Sequence, residues 1–329
     1  MTSLTEPKVA QAVRRAAVRA TLAPSVHNTQ PWRFMLSGSS LEIHADWNRR
    51  LRVLDPRGRQ LLISCGCAVF NARVALAAAR YEAMVERFPD PAQPDLLARL
   101  TLHETQVDEV PLGVLDPAVD LRHTNRRRFA EEPTPRDVVD ALVSVANDEG
   151  AELFLITRPE HRLAAAMLSQ QADRLENADP AYRAELRAWT SGDPRRLDGV
   201  PSMAVPRVDA GAHDDLPIRD FDTYGVGWLP TGTRSSINQC LLLLGTRQDT
   251  PAAWLRAGEA LERVLLEVTR RGYAASPLTQ VIEVAATNAL LRQELQLRMY
   301  PHVLLRVGRA PATPATRRRR LVEVLEEAH

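Results

Sequence analysis

Two long helical patterns, each mostly apolar, constrain the fold of this chain more than any other feature. The first runs from Gly58 to Tyr81 and the second from Pro251 to Gly272, so each half of the chain contains one. A helix with so wide an apolar face has to be covered by other structural elements. In the first pattern that face consists of Leu61, Leu62, Cys65, Val69, Ala72, Ala75, Leu76 and Ala79.

Short strand patterns surround both helices. Residues 33–36 and 41–45 predict a hairpin in the first half, and residues 241–246 and 302–307 predict strands in the second. Helices and strands follow one another without a regular βαβ order, which indicates an α+β fold. The similar order of elements in the two halves favours an internal duplication, although no residue-level repeat is visible.

A turn-rich stretch at residues 108–117 divides the chain. We predict an N-terminal module of residues 1–110 and a C-terminal module of residues 111–329. Within the second module, residues 192–235 are rich in Gly and Pro, and a segment this long and irregular is usually a functional lid or disordered. Its apolar residues argue against disorder, so we predict a lid insertion. They are Met203, Val205, Phe221, Tyr224 and Trp228.

Composition and charge exclude several classes of protein. The 42 basic and 41 acidic residues give a net charge of +1, so no global field attracts nucleic acid or a membrane. No apolar run approaches the roughly 20 residues that cross a bilayer, and the N-terminus lacks the apolar core of a secretion signal. The three cysteines lack metal-ligand spacing. We therefore expect a cytoplasmic protein without a metal site.

The most specific motif is the stretch from Ala23 to Phe34, with the sequence APSVHNTQPWRF. It joins the first helix to the first strand and places hydroxyl, imidazole and carboxamide groups between two prolines. Loops held on rigid elements are where polar ligands are bound. From the residues alone, a polar turn beside a buried tryptophan is an equally good interpretation.

This stretch resembles the APSxxNxQPW motif of the FMN-dependent nitroreductase family, and the resemblance extends over the whole chain, with most similarity to the Acg-like branch that fuses two modules. It implies a nitroreductase-like fold whose two pseudo-symmetric modules mimic the family homodimer. It also implies that five residues line the isoalloxazine and ribityl chain of FMN: Pro24, Ser25, His27, Asn28 and Gln30. Val26 replaces a residue that is often polar in the family.

A second motif, Arg122 to Phe129, alternates Arg122, Thr124 and Arg126 at period two, so an extended segment presents them on one side. Guanidinium groups bind phosphate bidentately. Because Lys8 is the only lysine, arginine clusters also arise here by chance, and a solvated run remains an alternative. The family resemblance implies that Arg122 and Thr124 bind the phosphate and that Arg126 lies near flavin N1 and the C2 carbonyl.

Two further segments resemble flavin-binding parts of the family. In the turn Gly272 to Gln280, the resemblance implies that Ala275, Ser276 and Leu278 offer backbone amides to flavin N5 and O4, with Pro277 shaping the turn. An acidic residue that a widespread member has in this turn is missing, which leaves the positioning of NAD(P)H open. After Pro314 a basic run follows, and the resemblance implies that Arg318 and Arg319 bind the phosphate, with Arg317 as a further candidate. A solvated tail is the alternative.

The motifs are distributed unequally between the halves. The first half has the APSxxNxQPW loop but lacks the R-x-[ST]-x-R opening, and the second half has that opening but no such loop. In the family homodimer, each flavin site takes one element from each subunit. The complementary pieces therefore predict one complete site per chain, for which a monomer is sufficient and a dimer is possible.

The resemblance implies an oxidoreductase that passes hydride from NAD(P)H to a nitroaromatic or quinone-type small molecule through FMN N5. No side-chain acid or base is expected to be catalytic, because the cofactor performs the chemistry. The alternative is a binding function, in which the same fold stores or sequesters FMN beneath a closed lid and has little reductase activity.

Overall fold

The computed structural model describes residues 6–102, 108, 110–127, 129–193, 195–201, 204, 219, 221 and 239–326. The helices are α1 (Glu6–Thr21), α2 (Arg59–Ala78), α3 (Asp116–Leu121), α4 (Arg136–Asp148), α5 (Pro159–Ala178), α6 (Pro180–Ala188), α7 (Pro251–Arg270), α8 (Gln280–Glu283) and α9 (Ala285–Glu294). The strands are β1 (Trp32–Ser37), β2 (Ser40–Ala45), β3 (Ala83–Arg87), β4 (Leu96–Leu102), β5 (Glu152–Leu155), β6 (Thr190–Ser191), β7 (Val200–Pro201), β8 (Cys240–Thr246), β9 (Ala274–Leu278), β10 (Tyr300–Gly308) and β11 (Leu325–Glu326).

The first sheet has the strand order β11-β1-β2-β4-β3. The predicted hairpin forms its centre: β1 and β2 are antiparallel, and Gly38 adopts the positive φ of 54° that a tight turn needs. The edge strand β11 comes from the far end of the chain and pairs in parallel with β1, with Phe34 opposite Leu325. The last described residues of the chain therefore complete the sheet of the first half.

The second sheet has the order β5-β8-β10-β9, with antiparallel neighbours throughout. Its central strand β8 is buried at every position, which is why its sequence is a continuous apolar run and not an alternating one. Helices α5, α8 and α9 lie against one another beside this sheet and share a second apolar core with it.

Helices α2 and α7 pack against each other at the centre of the molecule. A Cβ atom on Gly66 would lie 2.0 Å from the carbonyl oxygen of Leu255, and one on Gly258 would lie 2.0 Å from that of Ile63. Both glycines are thus needed for the close crossing. Helix α2 is long and apolar enough to cross a membrane, but 89% of its apolar window is buried inside the protein.

The structure agrees with the predicted α+β class, with one long buried helix and one antiparallel-rich sheet in each half of the chain. The division between residues 110 and 111 stays a prediction. The strand β11 crosses this boundary, because it belongs to the C-terminal module by sequence and to the first sheet by pairing. Most of the predicted lid, residues 192–235, lies outside the described residues. The part that is described includes β7, Arg219 and Phe221.

Candidate functional site

Two adjoining cavities lie between the halves of the chain. The empty space in the first is about 870 Å³ and in the second about 520 Å³, with the open solvent at their mouths included. They share four lining residues: Pro24, Ser25, Thr124 and Arg126. Two come from the first loop motif and two from the arginine motif, so the fold brings together segments that are about 100 residues apart.

The first cavity has mostly apolar walls. Helix α2 contributes Ile63 and Cys67, and the facing helix α7 contributes Leu261 and Leu265. Val303 of β10 and the turn after β9 close a further side. These walls suit a flat apolar group, and nine polar or charged side chains are placed among them. The polar and charged lining residues are Ser25, His27, Gln60, Ser64, Thr124, Arg126, Arg219, Thr279 and Gln280.

The loop that follows α1 is held in an uncommon conformation. His27, Asn28 and Gln30 have φ values of 48°, 54° and 49°, a region that few non-glycine residues adopt. Ser25 fixes the loop from inside, because its Oγ accepts a hydrogen bond of 2.9 Å from the Gln30 amide. Backbone strain of this kind is often found at ligand sites, and persists only where the surroundings hold it.

The remaining polar groups of this loop attach it to distant segments. The Gln30 side chain donates to the Leu197 carbonyl at 2.8 Å and accepts from the Arg319 amide at 2.7 Å. Asn28 donates to the carbonyl oxygens of Gly199 and Arg317 at 3.0 and 3.1 Å. Gln30, Arg317 and Arg319 therefore position the loop, and they do not line either of the two cavities.

The arginine motif lies beside β9. Thr124 forms an isolated parallel bridge with Ala275, and the Asn125 amide donates to the Ala275 carbonyl at 2.9 Å. This pairing brings Thr124 and Arg126 to the cavities and turns Asn125 away, toward the Pro311 carbonyl at 2.7 Å. Ala275 and Ser276 are buried behind the walls; Pro277 and Leu278 line the first cavity.

The second cavity is cationic. Arg122 and Arg318 line it together with His123, and the threonines at 124, 313 and 316 add hydroxyl groups. The Arg318 side chain is oriented by its Nε donating to the Ala23 carbonyl at 3.2 Å. Burial and the charge of Arg122 lower the pKa of Arg318 to about 9, so it is still a cation at neutral pH. Two guanidinium groups beside hydroxyl donors are the donor set that binds phosphate.

Arg126 places a further positive charge at the boundary of the two cavities. Burial, assisted by the nearby Arg219, lowers the pKa of Arg126 to about 10. The Arg126 guanidinium lies 5.4 Å from the ring centre of Phe221. Within the described ranges of the chain it forms no ion pair with a carboxylate, so an anionic ligand edge is its natural counterpart.

His27 is neutral in this environment, because burial, followed by the charges of Arg219 and Arg126, lowers its pKa well below the ordinary value. Its Nε2 contacts the Arg219 guanidinium, which in turn forms an ion pair with Glu283. Phe221 meets the His27 ring edge-to-face at 5.7 Å. The two described residues from the middle of the predicted lid therefore lie against the first cavity.

Ten of the fifteen candidate residues predicted from the sequence line these cavities, and several other lining residues were not predicted. Gln60, Ser64 and Cys67 belong to the α2 pattern and look like core positions, because the cavity wall and the core share one helix face. Arg219 lies in a segment with no periodic signal. The ten candidates that line the cavities are Pro24, Ser25, His27, Asn28, Arg122, Thr124, Arg126, Pro277, Leu278 and Arg318.

No model of a known protein family matches the chain. Two curated proteins of Mycobacterium tuberculosis, both provisionally named NAD(P)H nitroreductases, are similar to it. One is 35% identical over 96% of this chain and 92% of its own length. The other, acg, is 34% identical over 95% of this chain and 94% of its own length. A solved structure from Anabaena variabilis, provisionally named a nitroreductase, superposes with a TM-score of 0.54 at 11% identity over 94% of this chain and 90% of its own. The chain therefore belongs to the nitroreductase family.

Proposed function

We propose that this oxidoreductase holds one FMN across the two cavities and transfers reducing equivalents from NAD(P)H to a small nitroaromatic or quinone-type acceptor. The observation that carries the proposal is the junction of an apolar cavity with a cationic one, sharing Thr124 and Arg126. FMN has the same division, with a flat ring at one end and a phosphate at the other. The names of the mycobacterial relatives supply NAD(P)H as the reductant.

The side chains present fit such a ligand. Four buried polar atoms on the cavity-lining residues have no hydrogen-bond partner within the described part of the chain: His27 Nδ1, Asn28 Oδ1, Gln60 Nε2 and Arg122 Nε. A buried polar atom without a partner is destabilising. A ring system edged with donors and acceptors, attached to a hydroxylated chain, would supply partners to atoms of this kind.

Each group of residues then has a distinct role. Arg122, Thr124 and Arg318 would hold the phosphate, and the apolar walls from α2 and α7 would hold the ring and exclude water. When bound, FMN supplies the two-electron chemistry between donor and acceptor. Arg126 would keep a positive charge beside the ring, where it favours the anionic reduced form. His27, being neutral, would donate or accept a hydrogen bond without adding charge.

A specific observation supports a second candidate function, the storage or sequestration of FMN. Arg219 and Phe221 lie on the first cavity, where a nicotinamide or an acceptor would have to stack. Arg219 is fixed there by Glu283 and contacts His27. If the segment that carries these residues stays closed, the protein would bind FMN and show little reductase activity.

One experiment separates the two functions. The purified protein, loaded with FMN, is mixed anaerobically with NADH or NADPH while the flavin absorbance is followed. Bleaching by the nicotinamide supports the reductase, whereas bleaching by dithionite alone supports storage. Mass spectrometry of the released cofactor provides the control: recovery of FAD, or no flavin after soaking with FMN, contradicts both.

We further propose that the protein acts in the cytoplasm and that a monomer is sufficient.

A further inference from the structure

Glu262 is a fully buried carboxylate behind the second cavity. It projects from α7, has an exposed fraction of 0%, and lies with its Oε1 3.4 Å from Nε of Arg122. Arg122 is itself only 4% exposed, and its Nη2 donates to the Leu22 carbonyl at 3.4 Å. Among the described residues, Glu262 is therefore an acidic counter-charge to the cationic wall of the second cavity, and it does not itself line that cavity.

The groups around Glu262 come from three other segments. The loop after α3 supplies Arg122, and the C-terminal segment supplies Arg318, whose charge also acts on Glu262. Helix α2 supplies Asn71 and the Cys67 thiol, whose pKa is raised by burial and by Glu262, so the thiol stays uncharged. In the described structure, two cations and one carboxylate thus form a small buried charge cluster.

An incoming phosphate dianion would compete with Glu262 for the same two arginines. In the free protein, burial raises the pKa of Glu262 to about 7, against the opposing charge of Arg122. Two more negative charges nearby would raise it again, because like charges disfavour ionisation. A buried carboxylate whose cationic partners turn toward another anion is relieved most easily by accepting a proton from solvent.

We propose that Glu262 takes up a proton when a phosphate group enters the second cavity, so that the binding of phosphate-bearing ligands is coupled to the protonation of this buried carboxylate. Glu262 is a positioning residue: in the free protein it holds Arg122 in place, and in the complex it becomes neutral. This inference rests on the proposed function, since it assumes that the second cavity receives the FMN phosphate.

The coupling has a definite sign. A group whose pKa is higher in the complex than in the free protein favours binding at low pH. The contribution of Glu262 to FMN affinity should therefore be constant below pH 7 and fall by up to about tenfold per pH unit above it, until the pKa of the complex is reached. At pH 8 the removal of the carboxylate charge should tighten binding by about tenfold in the variant E262Q, provided that its fold is intact.

The test is isothermal titration of FMN into the flavin-free protein at pH 8, in buffers of different ionisation enthalpy, which counts the protons taken up. At this pH the phosphate is already dianionic, since its second pKa is near 6. We expect close to one proton for the wild type and far fewer for E262Q. Arg318 is present in both proteins, so any proton that Arg318 takes up is already included in the proton count of E262Q.

Two controls locate the proton. Riboflavin lacks the phosphate and should bind without proton uptake. The variant E259Q changes another buried carboxylate of α7, which pairs with Arg73 and Arg87 and not with the cavity arginines, and it should retain the wild-type proton count. If E262Q does not fold, the comparison of FMN with riboflavin in the wild type decides alone.

The outcomes separate this inference from the proposed function. If neither flavin binds the wild type, the proposed function fails and the inference fails with it. If FMN binds without proton uptake, if riboflavin takes up as many protons as FMN, or if E262Q weakens binding equally at every pH with an unchanged proton count, the inference is overturned and the proposed function stands.

Discussion

Gly66 of α2 and Gly258 of α7 are in backbone contact where the two central helices cross. A Cβ on Gly66 would lie 2.9 Å from the Gly258 Cα, and a Cβ on Gly258 would lie 2.8 Å from the Gly66 Cα. The relationship is reciprocal, as expected at a pseudo-symmetric crossing. It joins the two halves of the chain directly beneath the cavities.

We expect Gly258→Ala to destabilise the protein, although alanine is the better helix former. The added methyl group would meet the Ile63 carbonyl, and overpacking a core commonly costs about 1–3 kcal/mol. Urea denaturation measures the change in the free energy of unfolding. Ser144→Ala, on an exposed face of α4, is the control and should change it little. A Gly258→Ala protein as stable as the wild type would contradict the close crossing.

Arg122→Ala should weaken FMN binding much more than Arg127→Ala. Arg122 is buried on the second cavity, whereas Arg127 is exposed. A hydrogen bond to a charged group contributes about 1.5–3 kcal/mol, or roughly 10- to 150-fold in Kd. Quenching of flavin fluorescence measures the Kd. Arg128, a second control suggested by the sequence, lies outside the described residues. Equal losses at Arg122 and Arg127 would mean that only bulk charge matters.

The protein should lose stability as the pH falls from about 6.5 to 4, and His302 should account for part of the loss. Burial lowers the pKa of His302 to about 4, and its Nε2 lies 2.6 Å from Thr246 Oγ1. In the unfolded chain its pKa returns to about 6.5. Between these two pH values only the unfolded state binds the extra proton, so the unfolded state is stabilised relative to the native state as the pH falls.

For His302 the full difference amounts to at most about 3 kcal/mol. Thermal or chemical unfolding as a function of pH, compared with His302→Gln, measures it: the variant should show a shallower slope over this window. His161→Gln on α5 is the control for removing a histidine elsewhere. A variant that keeps the full wild-type slope would disprove the assignment.

Phe221→Ala should accelerate the reduction of bound flavin by NAD(P)H if the lid closes the first cavity. The substitution removes the ring that contacts His27 edge-to-face and lies beside Arg126. Stopped-flow absorbance under anaerobic conditions gives the rate. Replacing residues 205–218 by a Gly-Ser linker tests the part of the predicted lid that precedes Arg219 in the same assay. An unchanged or slower rate with full flavin content would remove the main support for sequestration.

One FMN should bind per chain, without need of a second copy. The cavity walls combine the loop after α1, helix α2, the 122–126 segment and Arg318, all from one polypeptide. Absorbance gives the flavin-to-protein ratio, and light scattering after gel filtration gives the mass. A ratio near two, or flavin that is lost whenever the protein is monomeric, would refute this prediction.

The sequence by itself determined the local elements and the two ligand motifs. The periodic apolar pattern of 58–81 predicted α2 because helix-forming residues repeat on one face regardless of what covers them, and the pattern of 33–45 predicted the hairpin in the same way. The APSxxNxQPW loop could be recognised because proline restricts the backbone locally and because asparagine and glutamine carry hydrogen-bonding groups whatever surrounds them. The prediction that Arg122, Thr124 and Arg126 share one side needed only the two-residue period of an extended segment.

Only the tertiary structure decided which residues share a surface. Gln60 and Cys67 lie on the same helix as core residues, and no local signal separates a cavity wall from a core. The pairing of β11 with β1 and the ion pair of Glu262 with Arg122 join positions that are distant in the chain. Gln30 and Arg319, which the motifs suggested as ligand contacts, bind each other. Such relationships depend on the path of the whole backbone, because the energy of a contact is set by where two groups meet in space.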